Sequence, residues 1–296
     1  MAGIAPKVYV IADYGKGDAA FAEVAQFIDA YVPGVCIRSI SVESYSTTQT
    51  GFWVNQIALN DKKLRERFEI EGKDFESQAG KNYLYVNTAP RSDEYGPRRD
   101  NDGEKLAYAG LTTGLEIVGV FSGETFSFVK PLIKTFREFD PGKVPANGSQ
   151  FRSRDIFPSA LGRIVEGDYS ILGKELDMDS IPEPAGGRIG HRDKYGNIKL
   201  TTKESEAGEL KPGDTVSIAI NGRKNDATFT AGIFSVNHGH LCLAPGSSGP
   251  TGDRYLEISR RGGNAWKDFG KPRMEAEVKI LKTEVSDRML ASRSTA

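Results

Sequence analysis

The hydrophobic residues change their spacing near Gly187, and that change constrains the fold more than any other feature of the chain. Before it, short β-branched or aromatic runs alternate with stretches of helical period, the pattern of strands joined by crossover helices. Val8–Ala12 reads as a buried first strand, and Phe21, Val24, Phe27, Ile28 and Tyr31 place one apolar face on a helix over Asp18–Tyr31. Val35–Ser41, Tyr83–Asn87, Leu106–Ala109 and Leu115–Phe121 read as further strands, and Phe52–Leu59, Lys62–Phe68, Thr125–Phe139 and Asp155–Val165 as helical. After Gly187 apolar and polar residues alternate, as in Val216–Ile220 and Ala276–Ile280. Turns fall at Lys211-Pro212-Gly213-Asp214, Asn221-Gly222 and Gly262-Gly263. The pattern predicts an α/β N-terminal domain with a largely parallel central sheet over residues 1–172 and a linker over 173–187, which holds Pro182 and Pro184. A smaller all-β, barrel-like C-terminal domain over 188–284 and a polar tail over 285–296 complete the expected layout.

Composition narrows the functional classes. With 38% hydrophobic and 27% charged residues in 296, the chain can bury a core, which argues against disorder. The net charge of −1 leaves no basic excess to neutralise nucleic-acid phosphates or an anionic membrane surface, so neither is an expected partner. No apolar run approaches the ~18 residues of a membrane span, and residues 1–7 lead into the first strand without a signal-peptide pattern. Two cysteines, Cys36 and Cys242, make no disulfide scaffold, so a cytoplasmic location is expected.

Three constellations can carry chemistry. Asp13-Tyr14-Gly15-Lys16-Gly17-Asp18 follows the first strand, where open α/β sheets bind ligands, and Asp13 is placed to accept hydrogen bonds from two ribose hydroxyls. A turn with a helix cap explains the same residues equally simply. Phe151-Arg152-Ser153-Arg154-Asp155-Ile156-Phe157 opens a helix, where an anion or an activated water could be held, and an Arg154–Asp155 ion pair is the plainer reading. His191 to Asn197, Gly246-Ser247-Ser248-Gly249 and Arg260 to Ala265 form the third set, in which glycines let backbone approach a ligand and Tyr195 can cover a heterocycle. His238-Gly239-His240 has no nearby cysteine or suitably spaced acid, so no metal is expected.

In order and spacing, these motifs resemble the S-adenosylmethionine hydroxide adenosyltransferases and the related fluorinases and chlorinases. The matching residues are Asp13-Tyr14-Gly15 with Asp18, Arg154 to Phe157, Asp193 to Asn197, Ser247-Ser248-Gly249, Tyr255 to Ile258 and Gly263 to Ala265, which together span nearly the whole chain. The resemblance implies a homotrimer that binds a small nucleoside ligand, with S-adenosylmethionine as substrate and no cofactor. It gives Asp13 the ribose hydroxyls and Asp18 the methionine amine. Asp193, Ser247 and Ser248 take the amino-acid end, while Tyr195, Asn197, Asn264 and Ala265 surround the adenine. Phe151 and Ser153 face C5′.

The chain departs from the family where a water would be activated. The hydroxide enzymes use an Asp-Arg-His set. Here the Asp position is Ala89, before Pro90-Arg91-Ser92, the His position is Arg152, and the arginine corresponds to Arg98 or Arg99. The usual Pro-Asp-Asn-Gly turn is Val120-Phe121-Ser122-Gly123. Ser153 matches the fluorinase serine. Two expectations follow. One is an enzyme that cleaves the C5′–S bond by displacing methionine with water, giving adenosine, with Arg152, Ser153, Arg99 and Asp93 in the altered nucleophile pocket. The other is a binding protein for S-adenosylmethionine or adenosine that has lost turnover, since groups acting as a unit are not replaced by one survivor.

Overall fold

The computed structural model describes residues 4–90, 104–145 and 148–282. The chain divides into two compact units, meeting between Pro184 and Ala185. No described helix is long and apolar enough to cross a membrane.

The first unit is built on a seven-stranded sheet whose strands are β1 (Lys7–Ala12), β2 (Cys36–Ser41), β3 (Asn82–Asn87), β4 (Leu106–Leu111), β5 (Glu116–Val120), β6 (Ile133–Phe139) and β7 (Leu172–Glu175). Their spatial order is β2-β1-β3-β5-β4-β6-β7. Alternation along β1 sends Val8 and Val10 to one face and Ile11 to the other. On the second face, Val54 and Ala58 of α2 (Thr47–Ile70) pack on Ile11, Leu84, Val86 and Ile117, and the short α3 (Phe75–Ala79) follows before β3. On the first face, Val24 and Ile28 of α1 (Ala19–Tyr31) cover the sheet together with Phe157, Leu161 and Ile164 of α5 (Phe157–Val165), which follows the single turn α4 (Arg152–Asp155). The crossovers β1-α1-β2 and β2-α2-β3 therefore run over opposite faces and place β2 and β3 on opposite sides of β1. The gap beyond the carboxyl ends of β1 and β3 is a topological switch point, where open α/β sheets bind ligands.

Several expectations need correction. The sheet is mixed and not largely parallel: β2-β1, β1-β3 and β3-β5 are parallel, whereas β5-β4, β4-β6 and β6-β7 are antiparallel. The reason is connection length, since β4 and β5 are joined by a short turn in which the Leu111 N–H donates to the Leu115 carbonyl and the Gly114 N–H to the Leu111 carbonyl, too short for a crossover. Thr125–Phe139 is not a helix: a 3₁₀ segment over Ser127–Leu132 containing Pro131 leads into β6. Phe52–Leu59 and Lys62–Phe68 belong to the single helix α2. Asp155–Val165 is broken at Ile156 between α4 and α5, because Pro158 has no N–H for the carbonyl of Arg154 and opens a new first turn. Residues 173–187 are not simply a linker, for β7 pairs with β6 and Ile181 is buried in the first unit's core.

The second unit is a seven-stranded sheet in the order β14-β10-β11-β12-β13-β9-β8. Its strands are β8 (Ile189–Arg192), β9 (Ile198–Lys203), β10 (Thr215–Ile220), β11 (Arg223–Phe229), β12 (Leu241–Pro245), β13 (Tyr255–Arg260) and β14 (Val278–Lys282). Inward residues such as Ile198, Leu200, Ile218, Ile220, Leu243 and Ile258 form its core. A bridge between Arg188 and Glu277, with the Val278 N–H donating to the Gly187 carbonyl, links the β8 and β14 edges, so the sheet curls toward closure. Asn221-Gly222 makes the expected hairpin turn, with both residues at positive φ (48° and 77°).

Candidate functional site

In the first unit, the residues singled out after β1 and at the start of α4 meet at the switch point. Tyr14 Oη donates to Ser153 Oγ at 2.6 Å, and Tyr85 Oη of β3 donates to the Ser153 carbonyl. The Tyr14 ring packs edge-on against Phe21 and Phe151, at 5.0 and 5.8 Å between centroids. Burial, with the neighbouring Asp13 charge, holds the Tyr14 phenol above its ordinary range, so the hydroxyl stays protonated and donates.

Asp13 lies one residue beyond β1, and its Oδ2 accepts the Tyr45 N–H at 3.0 Å. Tyr45 occupies the left-handed region (φ 66°), an uncommon conformation for a side chain of its size, directly before Ser46 caps α2. At the end of β3, Thr88 Oγ1 lies 2.8 Å from Thr50 Oγ1 of α2, and Ser122 Oγ donates to the Thr88 carbonyl at 2.7 Å. These hydroxyls fall outside the three constellations, and only the order β1-β3-β5 brings them to one edge. Ser122 belongs to the Val120–Gly123 turn, and Ala89 is partly buried against the α1 face of the core.

Other singled-out residues bond within the protein itself. Asp18 is exposed and caps α1, its Oδ1 accepting the Ala20 N–H at 2.9 Å. Arg152 places its guanidinium 5.0 Å from the Phe157 ring centroid and donates to the Glu104 carbonyl at 3.2 Å. Arg154 pairs with both Asp155 and Glu23 at 2.6 Å. Together with bonds from Ser149, that contact holds the Asp155 carboxyl below the usual range. The ion-pair reading of this segment is therefore correct for Arg154 and Asp155. Asp93, Arg98 and Arg99 lie outside the described residues.

In the second unit, the Asp193–Asn197 turn closes on itself, with Asp193 Oδ1 accepting the Asn197 N–H at 3.0 Å and Oδ2 accepting Asn197 Nδ2 at 2.9 Å. Gly196, at φ 88°, abuts the Asn264 side chain so closely that a Cβ would sit 2.2 Å from it, and its carbonyl accepts the Trp266 N–H at 2.9 Å. The turn and the start of α6 (Ala265–Asp268) are thus packed together: Asn264 caps the helix, Ala265 is fully buried in the core, and Tyr195 is 79% exposed. Asn197 and Ser247 line one cleft of about 290 Å³. Ser248 is buried, and its carbonyl accepts the Tyr255 N–H at 2.9 Å.

Phe234, 84% exposed beside the cleft residue Ile233, and the Lys199–Glu257 pair are candidates that sequence reasoning missed. Register is the signal for the pair, because Glu257 lies directly opposite Lys199 across β13 and β9. Burial and the nearby Lys199 charge, opposed by Asp193, push His191 down to about 4. Burial raises the Cys242 thiol, which leaves it a poor nucleophile. His238 lies over Gly262 and His240 ends a turn, and no metal-holding group of His, Cys, Asp and Glu occurs among the described residues.

No protein-family model matches the sequence, and no curated protein does. Among solved structures, the chain is similar to an uncharacterized conserved protein from Thermotoga maritima, with a TM-score of 0.69 and 16% identity over 93% of this chain and 99% of that one. It is also similar to a conserved hypothetical protein from Thermus thermophilus, with a TM-score of 0.58 and 17% identity over 94% of this chain and 100% of that one. At such identities the likeness shows the fold alone.

Proposed function

We propose that the chain binds S-adenosylmethionine and displaces methionine from C5′ with water, giving adenosine. The observation that carries this reading is the Tyr14–Ser153 hydrogen bond, which joins two motifs 139 residues apart beside Asp13. A switch point that presents the Asp13 carboxylate suits a ribose diol. Asp13 accepts the ribose hydroxyls, and Phe151 and Ser153 lie toward C5′. In the second unit, the exposed Tyr195 and the cleft residues Asn197 and Ser247 carry the remaining motifs of the resemblance, whereas Asn264 caps α6, Ala265 is buried in the core and Ser248 is buried.

The sulfonium is already a good leaving group. Water oxygen forms the new bond to C5′, the C5′–S pair departs to sulfur as neutral thioether, and the extra proton of the attacking water passes to solvent. Positioning the water in line is then the main task of the protein. The reading extends to a cytoplasmic homotrimer without metal or cofactor, and light scattering of the purified chain tests the assembly. Incubation with S-adenosylmethionine, followed by chromatography, should yield equimolar adenosine and methionine above the spontaneous background. No product with water, chloride or fluoride refutes the reaction.

A non-catalytic binding protein is the second reading. Ala89 at the family's acid position and Arg152 engaged with Phe157 and the Glu104 carbonyl favour it. Calorimetric binding of S-adenosylmethionine without consumption would establish that reading over the first.

A further inference from the structure

The curled sheet of the second unit does not close along the whole of β14. The Val278 N–H donates to the Gly187 carbonyl at 2.7 Å, and beyond that bond no described strand pairs with the outer edge of β14. On the other side β14 pairs with β10, with Ile280 opposite Ile218. Backbone groups of a strand alternate sides, so Ile280 and Lys282 turn their N–H and C=O groups the same way as Val278, away from β10. Unpaired edge groups of this kind invite another strand.

A cavity of about 460 Å³ opens along that edge. Its lining includes Ala207, Leu210 and Ile280, three apolar side chains packed on the core yet only partly buried. Two exposed carboxylates, Glu206 and Glu209, line it as well. Glu206 Oε2 accepts the Lys203 N–H at 2.9 Å, and neither carboxylate meets a cation among the described residues. Lys282, on the same wall, pairs instead with Asp214 at 2.8 Å. The seam therefore fits an extended segment that offers backbone partners, an apolar side chain and positive charge.

The chain itself carries such a segment where it leaves β14. Residues 283–296 lie outside the described residues, and their sequence sets Met289, Leu290 and Ala291 between Arg288 and Arg293. We propose that this segment docks in the seam of its own chain, turning back after Lys282 and adding a strand antiparallel to β14. A four-residue turn over 283–286 sets Asp287 opposite Lys282 and Met289 opposite Ile280, so that strand alternation directs Met289 into the cavity beside Ile280. Arg288 and Arg293 supply the cations that Glu206 and Glu209 lack. Tethering favours the chain's own segment over that of a second copy, because a short connection gives an effective concentration in the millimolar range. The docking covers the apolar residues of the cavity and closes the edge to other strands, and it stands apart from the nucleoside reading.

Hydrogen exchange on the full chain, followed amide by amide, tests the docking at Ile280, whose N–H faces the seam. In the unaltered chain that amide should exchange at least about a hundredfold slower than an unprotected one. Met289→Asp/Leu290→Asp should speed it about tenfold or more, and Glu206→Gln/Glu209→Gln by about threefold, as the loss of exposed ion pairs allows. The Ile218 amide, which alternation turns toward β11, should keep its rate in every variant. An Ile280 amide that exchanges as if unprotected in the unaltered chain overturns the proposal, and so does an unchanged rate in either double variant. Protection that disappears on about hundredfold dilution assigns the seam to the segment of a second copy and overturns the same-chain docking.

Discussion

Tyr14→Phe removes one oxygen atom from the junction on which the first unit's site depends. The ring keeps its packing against Phe21 and Phe151, so the change isolates the 2.6 Å bond to Ser153 Oγ. Ser153 is 5% exposed, and water cannot readily replace the lost donor. Leaving such a group short of a partner costs about 1–3 kcal/mol, partly offset because the phenylalanine has no hydroxyl to desolvate. We expect Tyr14→Phe and Ser153→Ala each to destabilise the first unit by about 1–2 kcal/mol. The double variant should cost less than their sum, by a coupling of about 0.5–1.5 kcal/mol. Two units unfold separately in principle, so the readout must belong to one of them. The chain has two tryptophans, Trp53 in α2 and Trp266 in α6; in a Trp266→Phe background, fluorescence during urea unfolding follows the first unit alone. Additivity within about 0.3 kcal/mol would mean that the hydroxyls do not interact. The two motifs would then lose the contact that joins them.

Gly162→Ala in α5 should destabilise the protein by about 1–2 kcal/mol despite the better helix propensity of alanine, because the new Cβ would sit 2.9 Å from the Tyr31 carbonyl oxygen; a raised melting temperature would refute the packing of α1 on α5. His191, held at about 4 by burial and by Lys199 and Arg192 against the pull of Asp193, binds fewer protons folded than unfolded between about pH 4 and 6.5. Its contribution is fully present above pH 6.5 and falls as pH drops toward 4, by at most about 2 kcal/mol between pH 7 and 5, and His191→Asn should flatten that slope in urea titrations. An unaltered slope in His191→Asn would assign the pH dependence elsewhere. Arg152→Ala should cost about 0.5–1 kcal/mol through loss of the Phe157 stack while leaving S-adenosylmethionine affinity within about twofold, and a tenfold change in that affinity would return Arg152 to the pocket.

The elements that the sequence reveals are those with undivided local signals. Val8–Ala12 is a continuous apolar run, Asp18 is a cap residue in front of a helical period, and Asn221-Gly222 is a turn that needs two positive φ values. β6 lacks such a signal: Ile133, Phe136 and Phe139 recur every three residues and imitate a helix face, and only β4 and β7 on either side make the segment a strand. Sheet direction escapes local reading for a related reason, because the short turn before Leu115 outweighs the parallel trend of β1 to β3. The candidate site divides in the same way. Asp13 and Ser153 stand out as motif residues, but their common location depends on packing across 139 residues. The Lys199–Glu257 pair depends on the register of β13 against β9, which no local pattern encodes. Asp18 and Arg154 show the converse, strong motif residues whose bonds are spent on capping and ion pairing.

The central claim is that Asp13 holds an adenosyl ribose at the switch point, and one calorimetric comparison tests it most directly. S-adenosylmethionine and adenosine are each titrated into the unaltered chain and into Asp13→Asn, which preserves the shape and an acceptor for the Tyr45 N–H while removing the charge. Charge-assisted bonds to two hydroxyls are worth about 1.5–3 kcal/mol each, so both ligands should bind the unaltered chain and lose at least about tenfold in affinity in the variant. Equal affinities in the two proteins, or no heat from either ligand with the unaltered chain, would contradict the account.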